Sequence, residues 1–163
     1  MNIAGKDLKD YIKIITLPLG IIIVAAIIQG VVDILGKIGG LLPPPLNLVT
    51  IFTGIVGWII SLVMLAVFIV VSGWVGWNTV KKYSGTLINA FIAGMMFGFA
   101  AGLIDAVVNT VLNIISLLLN INPLGMAFGL VTIILLLIAM PILGLIIAGI
   151  CAAIGGLLAG GKT

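Results

Sequence analysis

The chain has 163 residues, 63% hydrophobic and 7% charged, with a net charge of +3 and a mean hydropathy of +1.51. Soluble domains carry about 25% charged residues, so the composition excludes a water-soluble globular protein and predicts an integral membrane protein. His, Arg and Glu are absent and Cys occurs once, which leaves no ligands for haem, iron–sulfur or ordinary zinc sites and no Ser-His-Asp or Cys-His pair.

The N-terminal stretch mixes Lys6, Asp7, Lys9, Asp10 and Lys13. A mixed-charge stretch is a poor signal-peptide n-region, and no small-residue cleavage site follows the next apolar run. That run is therefore expected to stay attached as a first span, about residues 14–36. It carries Asp33 and, one helical turn later, Lys37. This i, i+4 order favours an interfacial ion pair. The break Gly39-Gly40-Leu41-Leu42-Pro43-Pro44-Pro45 cannot continue a helix, because three prolines remove three donors and fix φ.

A second span is predicted over about 47–77. Gly54, Gly57 and Ser61 form a short strip of small residues within it. It ends in Gly73-Trp74-Val75-Gly76-Trp77, followed by Lys81 and Lys82. Tryptophans beside lysines fit the headgroup belt of a membrane. Lys37 and Lys81 bracket 43 residues without a formal charge, and about 18 such residues already suffice for a transmembrane helix. Tyr83-Ser84-Gly85 makes the second break.

The third span, about 86–119, carries the first of two ladders: Ala90, Gly94, Gly98, Gly102 and Ala106. On a helix, steps of four make one strip with almost no side chain. In water each glycine would loosen the helix by about 1 kcal/mol relative to alanine. In lipid the strip instead lets a second helix approach closely. The same face continues as Asp105, Asn109, Asn113, Ser116 and Asn120. From Gly94 to Asn120 the spacing is 4-4-3-4-4-3-4, an eleven-residue period that keeps one face in line. Asp33, Lys37, Asp105, Asn109 and Asn113 therefore form a candidate polar path. The competing reading is hydrogen-bonding glue between helices. Counted from Lys82, Asp105 lies ~34 Å along the helix, which places it near the outer interface. Lys37 is its one candidate basic partner, if the first and third spans are neighbours.

The third break is Asn120-Ile121-Asn122-Pro123-Leu124-Gly125, and the fourth span covers about 126–160. It carries the second ladder, Gly144, Ala148, Ala152, Gly156 and Gly160. The two ladders either pair with each other or one of them seals a homo-oligomer. Cys151, beside Ala152 and Ala153, is read as a small buried hydrophobe. The third and fourth segments would each be ~50 Å long as unbroken helices, against a hydrocarbon core of about 30 Å. Either they break, with Pro141 and Gly102 as the sites, or a partner covers the surplus.

The expected fold is an all-α polytopic membrane helical bundle. It has four transmembrane segments in a single transmembrane domain, residues 1–163, with some helices long or broken. Gly30-Val31-Val32-Asp33 matches Gly102-Leu103-Ile104-Asp105 at an offset of 72, so two tandem helical hairpins are an open alternative for its organisation. Lys6, Lys9, Lys13, Lys81, Lys82 and Lys162 fall on one side of a four-span chain. The positive-inside rule makes that side cytoplasmic, with both termini inside a cell membrane crossed several times.

No P-loop or dinucleotide glycine pattern sits in a soluble setting, and without arginine there is no guanidinium fork for phosphate. The chain is expected to be no enzyme and to need no cofactor, no metal and no nucleic acid. Its partners are the lipid bilayer and other membrane subunits or further copies of itself. The expected function is a non-catalytic accessory or structural subunit of a larger membrane complex, or a self-associating scaffold built on small-xxx-small packing. The alternative is a small channel or carrier for a cation or small polar solute that uses Asp105, Asn109 and Asn113.

Overall fold

A computed structural model of the chain describes residues 2–39, 48–119 and 123–162. Of the breaks expected at 39–45 and 120–125, residues 40–45 and 120–122, with Asn120, fall outside these residues, whereas Gly39 is helical and Pro123, Leu124 and Gly125 belong to the fourth helix and not to a break. Two short strands, β1 (Asn2–Ile3) and β2 (Lys6–Asp7), pair antiparallel ahead of the first helix. Ala4 and Gly5 turn between them at φ 50 and 79. Four helices follow: α1 (Leu8–Gly39), α2 (Leu48–Lys81), α3 (Leu87–Leu119) and α4 (Pro123–Leu158). All four are long and apolar enough to cross a membrane, and the chain is a multi-pass membrane protein.

α3 matches its predicted span closely, whereas the other three helices outrun theirs at one end or both. α1 begins at Leu8 rather than near 14, because its first turn carries Asp10, and a carboxylate stabilises a helix N-terminus. α4 begins at Pro123, a residue suited to the first helical position because its missing N–H has no intrahelical use there. Pro141 and Gly102 do not break their helices: α3 and α4 are continuous at 33 and 36 residues. In lipid a freed carbonyl can be satisfied by neighbouring groups without ending the helix. Gly102 serves a different purpose, since a Cβ on it would stand 2.7 Å from the Pro141 Cα. It admits the backbone of α4.

The ladders meet each other. A Cβ on Gly94 would overlap the Ala148 carbonyl and the Ala152 methyl. One on Gly98 would overlap the Gly144 carbonyl, and one on Gly144 the Gly98 carbonyl. A Cβ on Gly102 would stand 2.5 Å from the Met140 carbonyl, and one on Gly156 would lie 2.8 Å from the Ala90 methyl. As the number rises on α3 it falls on α4, so the two helices run antiparallel with their backbones in contact. Ala90, Ala106, Ala148 and Ala152 have no exposed surface. Gly160 does not belong to this strip. It takes φ +82, and a Cβ there would meet nothing within 4 Å. Its N–H bonds the Leu157 carbonyl at 2.9 Å, and that of Gly161 bonds the Gly156 carbonyl at 2.9 Å. Together these close α4 with the paired bonds of a Schellman cap.

α2 packs on the adjoining face of α4, where Ala152 meets both α2 and α3. A Cβ on Gly76 would overlap the Ala152 carbonyl, and one on Gly155 would overlap the Gly73 carbonyl. α1 lies over α3, with Tyr11, Ile14, Ile15 and Ile22 joining Val71, Val75, Ala93, Phe97, Ala101 and Ala148 in one core. Phe68 stacks on Phe97 at 5.9 Å between ring centroids. This core fills the half of the bundle where the lysines gather. There the Lys6 ammonium donates to the Tyr83 carbonyl, and the Leu87 N–H bonds the Lys162 carbonyl at 3.0 Å. Asn89 ties the same end together. Its Oδ1 accepts from the Thr86 N–H (3.0 Å) and hydroxyl (2.6 Å), and its Nδ2 donates to Ala4 O (2.9 Å) and Tyr11 OH (2.8 Å). Thr86 and Asn89 thus cap α3 reciprocally, with an amide where the usual capping box has Glu or Gln.

Backbone contact makes one prediction. Gly98→Leu should lower thermal stability in mild detergent by about 3 kcal/mol or more, since neither helix can retreat without losing its other contacts. Gly54→Leu, where nothing lies within 4 Å, should change it by about 0.5 kcal/mol at most. Equal effects in a melting assay would contradict the packing.

Candidate intramembrane site

Around Gly102 larger side chains border the small-residue strip, while α3 and α4 stay packed through the buried Ala106 and through Leu117 against Gly129. A cavity of about 400 Å³ opens there between all four helices. Most of its wall is apolar, from residues such as Ile22, Phe68 and Leu143. Its polar wall is Gln29 from α1, Ser61 from α2, and Asp105 and Asn109 from α3. These positions lie near the middle of each helix. Asp105 is two residues past residue 103, the midpoint of α3, so it is central in its own helix despite its ~34 Å distance from Lys82.

The expected stripe is only partly gathered here. The Asn109 amide donates to the Asp105 backbone carbonyl at 3.0 Å, and the Asn113 amide to the Asn109 carbonyl at 2.8 Å. One donor of each amide is therefore committed within α3. Asn113 does not line the cavity, and the side chain of Ser116 is not among those described. Asp33 and Lys37 line a second cavity, about 490 Å³, between α1 and α2, with Thr53, Gly54, Gly57 and Ser61. Ser61, an exposed residue, belongs to both walls. Its hydroxyl donates to its own helix at the Gly57 carbonyl, 2.9 Å away. The strip of Gly54, Gly57 and Ser61 is accordingly a cavity wall and not a close helix contact.

Asp33 and Lys37 form no ion pair within 4 Å among the described residues. The Lys37 ammonium reaches across to α3 instead and donates to the Leu112 carbonyl at 2.6 Å. α1 and α3 are neighbours here, with Val108 3.5 Å from a Cβ built on Gly30, so that a carbonyl of α3 lies within reach of the long lysine stem. The first and third spans meet, but Lys37 meets Leu112 and not Asp105.

Several residues that carried no functional weight in the sequence gain it from their surroundings. Gln29 is the one amide in the apolar run 14–32, and a lone polar residue in a span was the available signal. Gly73 and Gly76 read as part of a tryptophan belt but bring α2 onto α4. Cys151 is half-buried rather than enclosed, in a groove between α2 and α4. Among the described residues no three His, Cys, Asp or Glu side chains converge as metal ligands.

No protein-family model matches the chain, and no curated protein or solved structure matches it.

The cavity should be reachable from water through its polar wall. With Cys151→Ala as background, Asn109→Cys, half-buried in the cavity wall, is expected to react with a small water-soluble thiol reagent in membranes. Leu62→Cys, on the outward face and half exposed, is expected to stay unreactive in lipid. The reverse order would contradict an aqueous cavity.

Proposed function

We propose that this protein binds a small cation or small polar solute in the cavity between its four helices and lets it cross the membrane, as a small carrier or channel. The observation that carries this reading is the convergence of Gln29, Ser61, Asp105 and Asn109, from three different helices, on one space of about 400 Å³. Ligand sites are typically clefts of about 300–1,000 Å³, mostly apolar, with a few polar groups that fix orientation. Polar and ionisable side chains inside a span are costly and by default mark a solute path. In this reading the Asp105 carboxyl supplies the charge, and the amide oxygens of Asn109 and Gln29 supply neutral ligands. Asp33, Lys37 and Thr53 form a vestibule beside Ser61.

The lysine end is assigned to the cytoplasm by the positive-inside rule, which puts both termini inside and the Asp33–Lys37 vestibule toward the outer face of the cell membrane. No catalysis, cofactor or nucleic acid enters this reading.

A second reading, a non-catalytic accessory subunit or self-associating scaffold, is favoured by helix length. Helices of 32 to 36 residues are ~48–54 Å long, against a core of about 30 Å, and a neighbouring subunit would cover the surplus. The ladders do not add to it, because each is occupied by the other within one chain. A single-chain particle in mild detergent would count against this reading.

Flux in reconstituted vesicles tests the first. Asp105→Asn should weaken solute binding by about 10- to 100-fold, the effect of losing one charge-assisted contact, and uptake should fall accordingly. Unchanged uptake, or none from the parent protein across monovalent cations and small polar solutes, would overturn it.

A further inference from the structure

At the lysine end a second, separate space runs along the outside of the bundle between α2 and α4. It is a groove of about 530 Å³. Its floor is the crossing where Gly73 and Gly155 bring the two backbones together. Ile69, Ile154 and Leu158 make an apolar channel, Trp74 and Trp77 form one wall, and Asn78 and Lys82 close the top. From Ile69 to Lys82 it follows ~20 Å of helix, slightly more than one leaflet's share of a ~30 Å hydrocarbon core.

The top of the groove is built for an anion. No acidic residue lines it. Neither the Lys82 ammonium nor the Asn78 side-chain amide has a hydrogen-bond partner among the described residues. The Lys81 ammonium is held nearby, over the Trp77 ring at 5.8 Å from its centroid. Below these groups the lining is apolar, so a ligand that fits has a negative head and a hydrocarbon tail. Indole rings at this level lie where tryptophans sit in membranes, with an apolar body and an N–H donor toward the headgroups.

We infer that this groove holds one anionic phospholipid from the leaflet at the lysine end. The phosphate lies on Lys82 and Asn78, one acyl chain runs down past Ile69 and Ile154, and the two indoles flank it. Charge complementarity selects this occupant: a neutral apolar helix of another protein would leave Lys82 and Asn78 buried without partners, and burying unpaired polar groups is costly. The inference does not depend on the central cavity, which is lined by different residues.

Trp74 and Trp77 make the test direct. Trp58→Phe removes the third tryptophan, which lies in the opposite half of α2 and is exposed. The protein is then placed in phosphatidylcholine vesicles containing dibrominated phosphatidylglycerol or dibrominated phosphatidylcholine at matched mole fractions. A basic residue near an anionic surface contributes about 1 kcal/mol, so the anionic lipid should quench at about fivefold lower mole fraction than the neutral one. Lys82→Gln, at an exposed position just past the end of α2, should abolish that preference. Lys162→Gln, at the same end but outside the groove, should retain it. Equal quenching by both lipids would overturn the inference. So would a preference that survives Lys82→Gln, or one relieved by excess inorganic phosphate, which would make the occupant a soluble anion. Native mass spectrometry gives an independent reading: co-purified phosphatidylglycerol should be lost with Lys82→Gln and kept with Lys162→Gln.

Discussion

Gly98 and Gly144 leave no room for each other's side chains: a Cβ on either would overlap the carbonyl of the other. Backbone-to-backbone contact of this kind is available to helices in lipid, where close approach and dispersion replace the hydrophobic drive that assembles helices in water. The rest of the bundle follows from it. With α3 so close, Ala152 and Gly155 are presented to α2 on the adjoining face, and Gly73 and Gly76 receive them. α1 then covers α3 through Tyr11 and the isoleucines above Phe97. The ladder runs on past Gly102 to the buried Ala106, but beside Gly102 larger side chains return. The central cavity begins at that point, with Gly102 and Asp105 both in its wall.

Much of the architecture was legible because lipid imposes few solutions. Uninterrupted apolar segments must be helices, and their number follows from the breaks between them. The ladder positions were equally plain, since an i, i+4 run of Gly and Ala has one geometric consequence. Whether they would serve one chain or two was not legible, because a small-residue strip carries no address. Gly160 shares the spacing but not the role, since the helix ends at Leu158 and the residue is needed in the left-handed conformation. Pro141 looked like a break and is not one. Gly73, Gly76 and Gly155 were hidden because their partners lie on another helix and the tryptophans beside them suggested a different purpose.

The polar site was legible as a stripe and not as a place. Asp105 and Asn109 could be named from one helix, but the Gln29 and Ser61 walls come from helices whose rotation depends on the glycine contacts. The Lys37 contact to the Leu112 carbonyl had no sequence signal, since any carbonyl of a neighbouring helix is equally available on paper. The two spaces so formed differ in chemistry. The central one joins a carboxyl to amides and a hydroxyl between the midpoints of the helices, whereas the outer groove joins lysine and tryptophan to hydrocarbon at the membrane boundary. The central cavity and the outer groove therefore lie at different heights along the same face of α4, which Met140, Ile147, Cys151, Ile154 and Leu158 share.

The register of α3 against α4 within a single chain is the claim on which all of this stands. Ala90→Cys with Gly156→Cys, in a Cys151→Ala background and in native membranes, tests it directly, because a Cβ on Gly156 lies 2.8 Å from that of Ala90, and parting the two helices by about 1 Å brings the pair to the ~3.5–4.5 Å that a disulfide spans. Mild oxidation should close a bond inside one chain, giving a faster-migrating monomer on a denaturing gel. A cross-linked dimer in its place, or two free thiols after oxidation, would contradict the account.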